Sequence, residues 1–119
     1  MKLKNMLAEM EYCGEAFAPV RHYTVFRRNR HYVLCSQKPG AVWEGDFVIV
    51  KNAAVEYLAR RLKGQMGLTS TKVRDRTRTA QFIRERFDVL NAMYVLVALG
   101  RAKMDQRFKR RAIYFNVHG

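Results

Sequence analysis

Gln81 and Arg84 stand three residues apart in a segment that opens with Thr79, a residue type that caps helices. In a helix this spacing puts both side chains on one face. Each carries a flat group with two hydrogen-bonding positions. A guanidinium pairs with guanine and a carboxamide with adenine, through two hydrogen bonds each. The chemistry open to this pair is the reading of base edges.

Bond-making chemistry has less support. Glu44, Asp46 and Lys51 bracket a strand-like run, and carboxylates with a lysine around a magnesium ion can activate water. Glu44-Gly45-Asp46 is equally a β-turn, however, and the carboxylate expected beside the lysine is missing. The sequence has no phosphate-binding glycine loop, nucleophile elbow or HExxH pair. The expectation is a binding protein, not an enzyme, with no cofactor. Cys13 and Cys35 are too few for a disulfide framework and are read as reduced, buried thiols. The alternatives are a bridge between them, or a metal held with His22 and His31 at spacings that match no common zinc pattern.

Charge says what the partner is. The 119 residues carry 23 Lys and Arg against 10 acids, a net charge of +13 with a pI near 10.4, which points to a polyanion. Residues 52–119 hold 15 basic and 5 acidic side chains and residues 1–51 hold 8 and 5, so the contact surface is expected in the C-terminal half. No run approaches the ~20 apolar residues of a membrane span, and the N-terminus lacks the pattern of a secretory signal. A cytoplasmic protein without a membrane partner is expected. With 49% hydrophobic residues the chain can support one modest core.

The elements that must position these groups follow from periodicity. Leu3, Met6, Leu7 and Met10 predict an amphipathic helix over residues 2–12, ended by Gly14. Residues 20–26 and 31–35 are rich in Val, Tyr, Phe and Thr and predict a β-hairpin with Arg27-Arg28-Asn29-Arg30 as its tip, either solvated or touching a phosphate backbone. Lys38-Pro39-Gly40 and Glu44-Gly45-Asp46 are turn signals, and Phe47-Val48-Ile49-Val50 reads as a strand.

Asn52 is placed to cap a helix over residues 53–63, with Val55, Leu58, Ala59 and Leu62 on one stripe, Arg60, Arg61 and Lys63 at its end, and Gly64 as its stop. Ser70 is placed to cap a short, exposed helix carrying Lys72, Arg74 and Arg76, and Thr77, Arg78 and Thr79 make the junction after it. A long third helix is predicted from residue 79 to 99, with Gly100 as its terminator. Ile83, Phe87, Leu90, Tyr94 and Val97 form its core stripe, opposite Gln81, Arg84, Glu85 and Asp88. Between residues 89 and 99 only Asn91 is polar, so this half must be buried against the N-terminal half or another subunit. A homodimer is expected, with this helix or the N-terminal one in the interface. Residues 101–104 and 111–117 predict strands around a charged loop, and Arg107, Lys109, Arg110 and Arg111 would neutralise phosphates or enter the minor groove. A merely solvated hairpin is the alternative.

The run Gly67-Leu68-Thr69-Ser70-Thr71-Lys72-Val73-Arg74, then Val95-Leu96-Val97-Ala98-Leu99-Gly100-Arg101-Ala102 and a basic hairpin, resembles winged helix-turn-helix transcription regulators common in archaea and their viruses. The third helix is about a turn longer than is usual there. Arg84-Glu85-Arg86-Phe87-Asp88 is also similar to the Arg-Arg-x-Tyr-Asp opening of the recognition helix in eukaryotic cell-cycle winged-helix factors, apart from Glu85. That likeness implies base-contacting roles for Arg84 and Arg86.

The expectation is therefore an α+β protein. Residues 1–51 form a helix and a small antiparallel sheet packed on a winged helix-turn-helix over residues 52–119. The expected partner is double-stranded DNA, the expected role transcription regulation, and the expected contacts Lys72, Arg74, Arg76, Arg78, Thr79, Gln81, Arg84, Arg86, Arg107, Lys109, Arg110 and Arg111. An RNA-binding or ribosome-associated protein is the alternative, because charge does not separate DNA from RNA.

Overall fold

The computed structural model describes residues 10–18, 22–37, 45–77, 86–105 and 113–119. Four strands, β1 (Glu11–Phe17), β2 (His22–Arg28), β3 (His31–Gln37) and β4 (Gly45–Lys51), pair antiparallel in chain order. One face of the sheet is apolar and covered: Ala16, Val25, Tyr32, Leu34 and Val50 are buried there. The β2–β3 turn needs only Asn29 and Arg30, so Arg27 and Arg28 are strand residues and not part of the tip. Asn29 takes a φ of 54°, a left-handed conformation that asparagine tolerates better than most residues.

The helix expected over residues 2–12 is corrected at its C-terminal end. Glu11 and Tyr12 belong to β1, where they pair with Arg27 and Phe26. Residues 1–9 lie outside the described residues. Gly14 does not end a helix; it sits in β1 beside a bulge between Tyr12 and Gly14. The helical spacing stops at Met10, and pairing with β2 decides the conformation beyond it. Gly45 and Asp46, expected in a turn, are likewise the first residues of β4, paired with Gln37 and Ser36.

Three helices follow: α1 (Asn52–Arg61), α2 (Ser70–Thr77) and α3 (Arg86–Ala98). In α1 the residues Ala54, Val55, Leu58 and Ala59 form the buried stripe, and Leu62 continues it into the turn. Burying side chains of the size of Leu58 and Leu62 contributes about 1.5–3 kcal/mol each. Asn52 is the first helical residue and not a side-chain cap. Its backbone N–H donates to the Arg30 carbonyl at 2.8 Å, tying the β2–β3 turn to the start of α1. Thr69, not Ser70, caps α2: its hydroxyl accepts from the Lys72 N–H at 3.1 Å, while Ser70 is buried. Thr77, expected in the junction, closes α2, its hydroxyl donating to the Val73 carbonyl at 2.6 Å.

Residues 78–85, the expected start of the long helix, lie outside the described residues. Within α3 the burial is not confined to a stripe. Val89, Ala92, Met93, Tyr94, Val95 and Leu96 are all buried, while Leu90 and Val97, expected in the core stripe, are only partly so. The helix is surrounded by protein: it packs on all four strands of the sheet, on α1 and on α2. The apolar run is thus covered by the chain's own N-terminal sheet and gives no ground for a second subunit. Gly100 ends the helix with a φ of 72°, as the sequence predicts. The Arg101 N–H donates to Leu96 and the Gly100 N–H to Val97, the paired hydrogen bonds of a left-handed terminator.

The chain closes with β5 (Ala102–Met104) and β6 (Phe115–Val117), an antiparallel pair. The second strand is shorter than expected, beginning at Phe115. One core runs through both halves of the chain, from Ala16, Val25 and Leu34 to Leu58, Met93 and Phe115.

Candidate functional site

The segment between α1 and α2 joins the C-terminal hairpin. Leu68 and Phe115 pair antiparallel, each N–H donating to the other's carbonyl at 3.0 and 2.7 Å. The Val117 N–H donates to the Gln65 carbonyl at 2.9 Å, and the Gly67 N–H donates to the Asn116 Oδ1 at 2.9 Å. Residues 65–68 therefore lie along β6, joined to it by a single β-bridge at Leu68 and by these flanking hydrogen bonds. The order becomes helix, strand residue, helix, helix, hairpin.

Three of the expected contact residues lie on α2. Ser70, Val73 and Thr77 are buried and set its inner face, while Lys72, Arg74 and Arg76 are exposed. Helical geometry places Lys72 and Arg76 on one flank and Arg74 on the other, with the exposed Asp75 between. Lys72 and Arg76 both lean over the strand-like segment. Lys72 Nζ donates to the Gly67 carbonyl at 3.3 Å, and Arg76 Nη1 donates to Gln65 Oε1. Gln65 in turn donates through Nε2 to the Arg61 carbonyl at 3.3 Å, which links α2 to the basic end of α1.

Residues 52–119 expose further cations that the sequence expectation does not include among its contacts. Arg60, Arg61 and Lys63 are exposed at the end of α1, and Lys103 is exposed on β5. The signal is present in the sequence, since basic residues at a helix C-terminus stand out there. They also have a simpler reading, as partners of the helix dipole. Arg101 is different: its Nη1 lies 2.9 Å from Glu56 Oε1, an ion pair that ties the end of α3 to α1.

Arg78, Thr79, Gln81, Arg84, Arg107, Lys109, Arg110 and Arg111 lie outside the described residues. Arg86 is the first residue of α3. The other chemical readings of the sequence do not converge. Cys13 and Cys35 are free thiols on β1 and β3, with β2 between them. Two strand spacings of about 4.8 Å exceed the ~7 Å that a disulfide can bridge. Partial burial pushes both thiols up from their ordinary pKa, which disfavours the reactive thiolate. His22 and His31 open β2 and β3 at opposite ends of the hairpin. His22 lies 2.6 Å from Glu15, and among the described residues no group of three His, Cys, Asp or Glu is arranged to hold a metal ion. Asp46 and Lys51 stand five positions apart on β4, roughly 16 Å along a strand, so they share no site. Among the described residues no helix is long and apolar enough to cross a membrane.

No protein-family model, curated protein or solved structure matches this chain.

Proposed function

We propose that residues 52–119 form a winged helix that binds double-stranded DNA, and that the protein regulates transcription. The observation that carries the reading is the pairing of Leu68 with Phe115. It inserts a strand residue between the first and second helices and fastens it to the hairpin after the third, which is the order a winged helix requires. In this reading α1 and α2 support a third helix that begins at Thr79 and continues into α3. Gln81 and Arg84, with Arg86, address base edges from its first turns. The hairpin of β5 and β6 is the wing, and Arg107, Lys109, Arg110 and Arg111 near its tip contact phosphates.

The exposed cations of the described surface support the same reading. Lys72 and Arg76 reach the segment that pairs with the hairpin, and Arg60, Arg61, Lys63 and Lys103 are further exposed cations of residues 52–119. Contacts of this kind raise affinity through counterion release without selecting a sequence. The test is an equilibrium comparison of duplex DNA with structured RNA at several salt concentrations. Preference for duplex, with affinity falling linearly on logarithmic axes as salt rises, is the expected result. Tighter binding of structured RNA at every salt concentration would replace this reading with the RNA-binding one.

A further inference from the structure

The face of the sheet turned away from α3 carries a second pattern. The strand register aligns Tyr12, Phe26, Val33 and Ile49 in one row across all four strands. The next row holds Glu15, Thr24, Cys35 and Phe47, and Phe17 follows at the end of β1, one face of its ring stacked on His22 of β2 at 4.4 Å and the other free among the described residues. Large apolar side chains here are open to solvent: Tyr12 is 59% exposed, Phe17 65%, Phe47 53% and Ile49 57%. The only other exposed large apolar side chain among the described residues is Met66. Three of the four on the sheet are aromatic, and Phe26, edge-on to Tyr12 at 6.0 Å, adds a fourth ring to the surface.

The polar groups of this face say what would lie on it. Arg28, His31 and Lys51 form a cross-strand row directly beside the row of Tyr12, Phe26, Val33 and Ile49. Of the acids near this face, Glu15 is engaged by His22 at 2.6 Å and by the Tyr12 hydroxyl at 3.2 Å, and the exposed Glu11 lines a recess with Arg27 and Arg28 at the edge of the row. Ring faces bordered by cations, on a chain of net charge +13, suit unpaired bases with their phosphates. A second copy of the chain suits the face less well, because it would bring two such basic rows and two charges of +13 together.

We propose that this outer face is a stacking platform for the bases of single-stranded nucleic acid, with Tyr12, Phe17 and Phe47 as the stacking rings and the row of Arg28, His31 and Lys51 as the phosphate contact. The site is separate from the duplex-binding surface proposed above and does not depend on it.

The test uses the full chain and fluorescently labelled oligothymidine, with a duplex of equal length as control. The triple variant Tyr12→Leu, Phe17→Leu, Phe47→Leu keeps the face apolar but removes its ring faces. The platform requires a loss of single-strand affinity of about tenfold or more, since each stacked ring contributes a severalfold factor or better. Duplex affinity should change by less than about twofold, so a wild-type protein that fails to bind duplex overturns the earlier reading and not this one. Circular dichroism checks that the variant is folded. Single-strand affinity that survives the triple substitution overturns the platform. In the wild type, ultraviolet cross-linking to a bromouridine-substituted strand should give adducts at these rings, and adducts confined to residues 52–119 would also overturn it. So would a dimer at micromolar concentration that Phe17→Lys with Phe47→Lys dissolves, which would assign the face to a second copy.

Discussion

Gly14 and Ala98 meet backbone to backbone. A Cβ placed on residue 14 would stand 2.2 Å from the Ala98 carbonyl oxygen, and residue 14 has a φ of 153°. Only glycine lets β1 lie this close to the C-terminal end of α3, and this approach seats the N-terminal sheet on the helix. Gly14→Ala should therefore lower the unfolding free energy by roughly 3 kcal/mol, through overpacking and backbone strain together. Gly64→Ala is the comparison, because a Cβ there meets only Gly119, at 3.9 Å, and the φ of 76° alone costs about 1 kcal/mol. Equal losses in chemical denaturation would remove the close approach as a constraint.

The same approach of β1 to α3 explains where the sequence is legible. The β2–β3 hairpin and α1 are readable because each carries its own periodicity or turn residue over enough positions to outweigh its neighbours, and the buried half of α3 because a run with almost no polar residue leaves no face to solvate. Gly100 is readable because a left-handed terminator is a local requirement. Gly14 misleads for the same reason: a glycine after a helical repeat is locally a stop, and nothing nearby tells that Ala98 lies against it. The cap on α2 moves by one residue because Thr69 and Ser70 both cap well and the register of the Leu68 bridge selects between them.

The candidate sites divide in a similar way. Exposed Lys72, Arg74 and Arg76 follow from a short helix with few apolar residues, which has only one face to bury. The aromatic face of the sheet does not follow. Which side Tyr12 takes depends on the bulge before Gly14 and on pairing with Phe26, and both vanish if residues 11 and 12 are taken as helix.

Tyr94 makes stability depend on pH at the alkaline end. Its buried ring stacks on Tyr23 at 4.8 Å and meets Phe115 edge-on at 5.9 Å. Burial, with a smaller contribution from the charge of Tyr23, pushes the phenol up to about 12 from 10.0. The folded protein thus holds this proton more tightly than the unfolded chain. The stabilisation is complete below the unfolded pKa and is lost as pH rises through the window between the two values. At about pH 11.5 the wild type should have lost roughly 2 kcal/mol that Tyr94→Phe does not lose, as read from urea denaturation against a reference near pH 9. Parallel pH profiles for the two proteins would show that Tyr94 ionises as readily folded as unfolded.

Base readout is tested at Gln81 and Arg84. If the two side chains address bases, Gln81→Ala and Arg84→Ala each reduce the preference for the specific duplex over a random one by about 1–3 kcal/mol. Binding to the random duplex should change little. The measurement is a competition titration of both duplexes at fixed salt. Equal losses on both would leave these residues as charge or packing contributors only.

If the β5–β6 hairpin serves as a wing, Arg107 and Lys109 should act through phosphates, because Arg and Lys can neutralise charge without the fixed geometry that base readout needs. Arg107→Ala with Lys109→Ala then lowers affinity by a similar factor on every duplex, whatever its sequence. The salt dependence gives the sharper measurement. For every phosphate that the protein no longer neutralises, the slope of log affinity against log salt becomes shallower by about 0.9, so the double variant should show a change of roughly 1.8. The two substitutions leave the Leu68–Phe115 pairing untouched, so the fold should survive, and circular dichroism verifies this. A folded double variant with the wild-type slope would mean that the hairpin is solvated and touches no DNA, and the duplex contacts would then have to come from α2 and the basic end of α1.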